Sequence, residues 1–109
     1  LLYLISMETT FQNKNLEELF ETGKSKKYKK VPKNIIEEFI EAVEFLKDAV
    51  SIHDIWKHPA YNFEHLSGTK KYSMRLNRKW RLELSIDWID DTKVEVKVVN
   101  ILDLTSHYQ

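Results

Sequence analysis

The chain has no cysteine among its 109 residues, which excludes a disulfide framework and any zinc–thiolate centre. Glycine and proline number two each, too few for a loop-dominated or disordered chain. No apolar run is long enough to span a bilayer. The opening Leu1-Leu2-Tyr3-Leu4-Ile5 is short and lacks the basic start of a signal peptide. Met7 is a candidate start, which would make residues 1–6 an N-terminal extension. The expectation is one domain over 1–109, cytoplasmic and without a membrane partner. HExxH, Cys/His spacing, a glycine-rich phosphate loop and GxSxG are all missing. The common metal, nucleotide-cofactor and serine-hydrolase chemistries go with them, so no metal and no cofactor are expected.

Net charge is also lacking: 17 basic residues balance 17 acidic ones. The distribution is uneven, however. Residues 22–33 (TGKSKKYKKVPK) hold six Lys and no acid, and residues 65–81 (HLSGTKKYSMRLNRKWR) hold six Lys or Arg and no acid. Most acids lie on 17–21, 37–48 and 83–103. Lysine runs are often only solvated surface. Two separate acid-free basic segments on a neutral chain nevertheless predict a local positive field suited to RNA or another polyanion. Lys24, Lys26, Lys27, Lys29, Lys30, Lys70, Lys71 and Arg78 are the candidate contacts.

Hydrophobic periodicity divides the chain in two. Asn15 and Glu18 form a candidate N-cap pair for a helix with Leu16, Leu19 and Phe20 on one face, ended by Gly23. Pro32 suits the first turn of a second helix, along which Ile35, Phe39, Val43, Leu46 and their neighbours follow helical spacing. Ser51 and Asp54 cap a short turn that Pro59 stops. From residue 61 the period becomes two, with candidate strands over 72–76, 80–88 and 94–102. The doublet Val98-Val99 suggests a bulge, and Asp90-Asp91 a hairpin tip. The expected fold is α+β, with two antiparallel helices on one face of an antiparallel sheet and a polar, open face opposite.

If 72–76 and 80–88 form a hairpin, apolar residues must share a face, so Leu76 faces Trp80 and Met74 faces Leu82. Only a three-residue loop of Asn77, Arg78 and Lys79 keeps that parity, and one of the three is then expected in the left-handed region. This register sets Arg75 directly across from Arg81. Like charges so placed cost about 0.2–1 kcal/mol. Either Glu83, Ser73 or Asp87 neutralises the pair, or the pair grips a phosphate.

The runs Leu66-Ser67-Gly68, Tyr72-Ser73-Met74-Arg75-Leu76 and Lys79-Trp80-Arg81-Leu82-Glu83 resemble the core of HigB-type toxins, also called plasmid maintenance killer proteins. Asp103-Leu104-Thr105-Ser106-His107-Tyr108 resembles that family's C-terminal motif, and Asn15 to Gly23 its first helix. The likeness covers nearly all of the chain after Met7. It implies a RelE-like fold, ribosome-dependent and metal-independent cleavage of messenger RNA, and neutralisation by a helix-turn-helix, HigA-like antitoxin. By position it implies that Arg75 and Arg81 line the active site, that His107 moves a proton and that Tyr108 stacks on a base. Family members are commonly more basic, and Ser67 stands where many carry Lys; His65, Lys70 and Lys71 are the nearby substitutes.

Cleavage by the RNA's own 2′-hydroxyl needs a base, an acid for the leaving 5′-oxygen, and cations around the phosphorane. Histidine titrates nearest neutral pH, so His107 and His65 are the acid/base candidates, with turn packing the other reading for His65. Guanidinium forks match phosphate oxygens and stay charged. His53 and His58 have no clustered partners and read as structural. Two alternatives remain open: a toxin of the same fold acting on a protein such as DNA gyrase, and a non-catalytic RNA-binding module.

Overall fold

A computed structural model describes residues 7–93 and 95–106. The elements run β1 (Glu8–Phe11), α1 (Lys14–Thr22), α2 (Lys33–Asp48), α3 (Ile52–Trp56), a 3₁₀ turn (Pro59–Tyr61), β2 (Glu64–His65), β3 (Lys71–Arg75), β4 (Arg81–Trp88) and β5 (Val96–Thr105). The strands form one sheet in the order β1-β5-β4-β3-β2. The α+β class is as expected, but the sheet is mixed, because β1 lies parallel to β5. A four-residue edge strand with no adjoining hairpin turn leaves little periodicity to read. The short turn expected after Ser51 is α3.

Alternation places Leu82 and Leu84 of β4, Met74 of β3, and Val99 and Ile101 of β5 on one face, all fully buried. Leu16 and Leu19 of α1 and Ile35, Phe39, Val43 and Leu46 of α2 close on them in one hydrophobic cluster. At roughly 1.5–3 kcal/mol per buried aliphatic or aromatic side chain, this layer is the main source of stability. Helix ends follow local chemistry. The α1 cap is Asn13, two residues earlier than expected: its side chain accepts from Leu16 N at 3.0 Å. Gly23, at φ +78°, ends α1 in the left-handed conformation, and its N–H donates to Leu19 O. Pro32 sits at the cap of α2, and Ser51 with Asp54 forms a capping box on α3.

Two bulges bend β5. The pairing with β4 slips between Glu83 and Leu84 and again between Asp87 and Trp88, so Leu102 and Lys97 are the extra residues. They bracket the Val98-Val99 doublet and restore burial parity on each side of it. The first bulge gives Asp103 and Thr105 the partners Glu83 and Arg81.

Candidate active site

The β3–β4 register is the expected one: Met74 pairs with Leu82, Ser73 with Glu83, and Arg75 with Arg81. Leu76 N donates to Trp80 O at 2.9 Å, closing a three-residue loop. The expected left-handed residue is not there, since neither Asn77, Arg78 nor Lys79 has a positive φ. The Asn77 side chain does that work instead, its Oδ1 accepting from Lys79 N and Trp80 N, each at 2.8 Å. A polar side chain folded back on its own loop thereby fixes which residues face each other one step along.

Arg75 and Arg81 are Cα partners on the face opposite the helices, with Arg75 exposed and Arg81 half-buried. The face is polar as expected but only partly open. Ser73 is buried at 2% exposure, and the Glu83 side chain retains 15%. Glu83 pairs with Lys71 (Nζ to Oε1, 3.7 Å), a half-exposed contact worth at most about 1 kcal/mol. Further along, Thr10 Oγ1 donates to Asn100 Oδ1 at 2.6 Å, and Asn100 Nδ2 donates to Ser85 Oγ at 3.1 Å. This ladder ties β1, β5 and β4 together beneath the charged end.

The C-terminal half of β5 joins the two basic segments. Tyr28, buried within the lysine run, donates its hydroxyl to Asp103 Oδ1 at 2.8 Å. Burial first, and then the Asp103 carboxylate, raise the Tyr28 phenol well above its ordinary value, so it is neutral and donating at physiological pH. Val31 is buried beside it, while Lys24, Lys26, Lys27, Lys29 and Lys30 are all exposed. Lys27 Nζ lies 5.5 Å from the Tyr28 ring centroid. Lys27, Lys30, Trp80, Asp103, Thr105 and Ser106 line a common cleft of about 320 Å³. Thr105 is the Cα partner of Arg81. The lysine run and the arginine pair therefore flank the same strand end.

The other expected residues divide. Arg78 is exposed at the hairpin tip and Lys71 stands on the arginine face. His65 pairs with Tyr72, whose partner is Leu84, so by strand alternation it stands on the face opposite Arg75 and Arg81. Its Nε2 contacts Thr69 O at 2.6 Å and its ring lies 5.0 Å from Tyr72. The structure does not bring His65 to the arginines. Lys70 lines a separate cleft with His65, Tyr72, Ile86 and Trp88. His58 stacks on Tyr61 at 4.1 Å and His53 meets Trp56, both packing roles. His107 and Tyr108 lie outside the described residues. A cleft of about 580 Å³ between α1, residues 22–29 and Ile36 contains no expected catalytic residue. Among the described residues no group of three or more His, Asp or Glu could hold a metal ion, and no helix is long and apolar enough to cross a membrane.

Sequence reasoning weighed Glu83 and Ser73 only as neutralisers and gave Tyr28 no role. The Tyr28–Asp103 contact spans 75 positions, and no local pattern announces it. The one available signal was an aromatic residue set in a lysine run.

Residues 9–103 match the family model described as a RelE-like toxin of the type II toxin–antitoxin system HigB. No curated protein matches the sequence. The fold is similar to the YoeB–YefM complex from Staphylococcus aureus (TM-score 0.52, 18% identity, covering 95% of this chain and 100% of that one). The YoeB dimer from the same organism gives the same four values. At that identity the likeness speaks for the fold alone.

Proposed function

The chain belongs to the HigB-like family of RelE-like toxins of type II toxin–antitoxin systems, and on that premise we propose that it is a ribosome-dependent endoribonuclease that cuts messenger RNA during translation. The observation that carries this reading is the Arg75–Arg81 pair, held as direct cross-strand partners on a polar sheet face. Guanidinium forks so placed match the non-bridging oxygens of a phosphate and stay charged.

The chemistry follows from the residues. The substrate's 2′-hydroxyl attacks the adjacent phosphorus while its proton passes to a base. The P–O5′ bond breaks, and the 5′-oxygen takes a proton from an acid. The products are a 2′,3′-cyclic phosphate and a 5′-hydroxyl. Arg75 and Arg81 stabilise the charge that grows on the non-bridging oxygens. The nucleophile is the RNA's own, so the reaction as proposed calls for no metal. Tyr28, held neutral, is no base at physiological pH. His65 stands on the wrong face for proton transfer at the arginines. His107 is the proposed proton carrier: it follows Thr105 by two residues, and two residues span at most about 7 Å. Tyr108 beside it is the proposed stacking group.

The exposed lysines of 24–30 serve ribosome association, which places the action in the cytoplasm. Neutralisation by an antitoxin is supported by the family, described as a toxin of the type II toxin–antitoxin system HigB. The helix-turn-helix, HigA-like type of antitoxin is what the sequence resemblance implies. Primer extension on messenger RNA after induction tests the reading. Discrete cuts within translated codons, lost in Arg75→Gln and His107→Ala, are expected. DNA breaks with intact messenger RNA would replace this reading with gyrase poisoning, and ribosome binding with neither lesion would leave a non-catalytic binder.

A further inference from the structure

The cleft at the end of β5 has features that phosphate binding does not require. Its volume of about 320 Å³ sits at the small end for a ligand site, enough for one nucleobase and little more. Trp80, partly buried against the core, offers an aromatic wall. Lys27 and Lys30 stand at its margin, and Asp103, an anion, stands within it. Beside these cations the Asp103 carboxylate is the cleft's one anionic acceptor among the described lining residues.

Asp103 is held for such a task. Its Oδ1 accepts from the Tyr28 hydroxyl at 2.8 Å and from Leu104 N at 2.9 Å. Both bonds fall on one oxygen, so among the described residues Oδ2 has none. Two donors on one oxygen fix the rotation of the carboxylate and leave a single pure acceptor. Thr105, two residues or about 7 Å along the strand, is the partner of Arg81.

Resting on the ribonuclease reading for the identity of the substrate, we propose that this cleft receives the nucleobase next to the arginine-bound phosphate and that Asp103 selects a base carrying an exocyclic amino group. Adenine and cytosine place an N–H₂ donor at the edge that meets Oδ2, and guanine places one beside its N1–H. Uracil has carbonyl oxygens on both sides of its one N–H, and these repel the carboxylate. Acidic side chains accept from the cytosine amino group in this way elsewhere. Trp80 supplies base-independent stacking, and Tyr28 is a positioning residue that acts through Asp103.

The test is an NMR titration of the ¹⁵N-labelled full chain, carrying Arg75→Gln to blunt toxicity, with 5′-AMP, 5′-CMP and 5′-UMP. The expected result is movement of the Trp80 indole N–H and of the amides of 103–106, with AMP and CMP binding about tenfold more tightly than UMP. Asp103→Ala removes the ratio. Asp103→Asn inverts it: Tyr28 and Leu104 still donate to Oδ1, and an amide N–H₂ then faces the base and favours the uracil carbonyl. Tyr28→Phe weakens the ratio without abolishing stacking shifts at Trp80. Equal affinity for the three nucleotides, or shifts confined to residues outside the cleft, overturns the proposal. Nucleotide binding is read without cleavage, so discrimination that persists while ribosomal messenger RNA stays intact sinks the ribonuclease reading alone. Cleavage whose base preference is unmoved by Asp103→Asn sinks the pocket alone.

Discussion

Replacing Arg75 by Gln should raise stability and lower activity together, and the two magnitudes come from different parts of the same contact. Arg75 is exposed and its Cα partner is Arg81, so removing its charge relieves a direct like-charge pair. Such pairs cost about 0.2–1 kcal/mol, and Gln keeps most of the aliphatic stem. For a domain of this length that gain raises Tm by about 1–5 °C. A lost charge-stabilising donor costs on the order of 10²–10³ in rate. Arg75→Lys separates the effects: the repulsion stays, so Tm should not rise, while the bidentate fork is lost and the rate falls. Thermal unfolding by circular dichroism and single-turnover cleavage on programmed ribosomes provide the two readouts. A Gln variant that unfolds at lower temperature, or one that cuts at the wild-type rate, would refute the reasoning, because the pair would then be either supportive or idle.

Other consequences are equally open to measurement. In a spectrophotometric titration, Tyr28 and Tyr61 should ionise above the ordinary phenol range, because burial raises both and the Asp103 carboxylate raises Tyr28 further. A raised phenol pKa means that this stability is intact below about pH 10 and is lost as pH climbs through the folded value. Tyr28→Phe should therefore remove one late-titrating group and flatten the alkaline loss, and an unchanged late amplitude would count against the buried hydrogen bond. Asn77→Ala removes the two bonds that close the β3–β4 loop and should cost about 1–2 kcal/mol in urea unfolding; no shift in midpoint would mean that the loop is set otherwise. Replacing Lys24, Lys26, Lys27, Lys29 and Lys30 by Gln should weaken ribosome binding and reduce its salt dependence, with far-UV circular dichroism unchanged, since all five side chains are exposed. Unaltered affinity would remove that patch from the interface.

The parts of this account visible in the sequence are those written in short periods. Parity along 72–76 and 80–88, with one apolar pairing satisfied at a time, was enough to place Arg75 opposite Arg81, and helical spacing was enough for α2. The parts that stayed hidden depend on long-range geometry. Strand β1 joins the sheet in parallel from ninety residues away, so no turn betrays it. His65 stands near the right segment in sequence, yet its pairing with Tyr72 turns it to the other face. The hairpin loop was read as needing a left-handed residue, whereas the Asn77 carboxamide closes it without one. Tyr28, given no role from the sequence, ties the lysine run to β5 through Asp103.

Cleavage by a substrate hydroxyl, with two arginines holding the phosphate, can be tested at a single atom. A messenger RNA programmed on purified ribosomes carries one 2′-deoxynucleotide, placed immediately 5′ of the mapped cut. Loss of cleavage at that site alone, with a 2′,3′-cyclic phosphate and a 5′-hydroxyl at the cut in the all-ribose control, is the predicted result. Unabated cutting of the deoxy-substituted strand would contradict it.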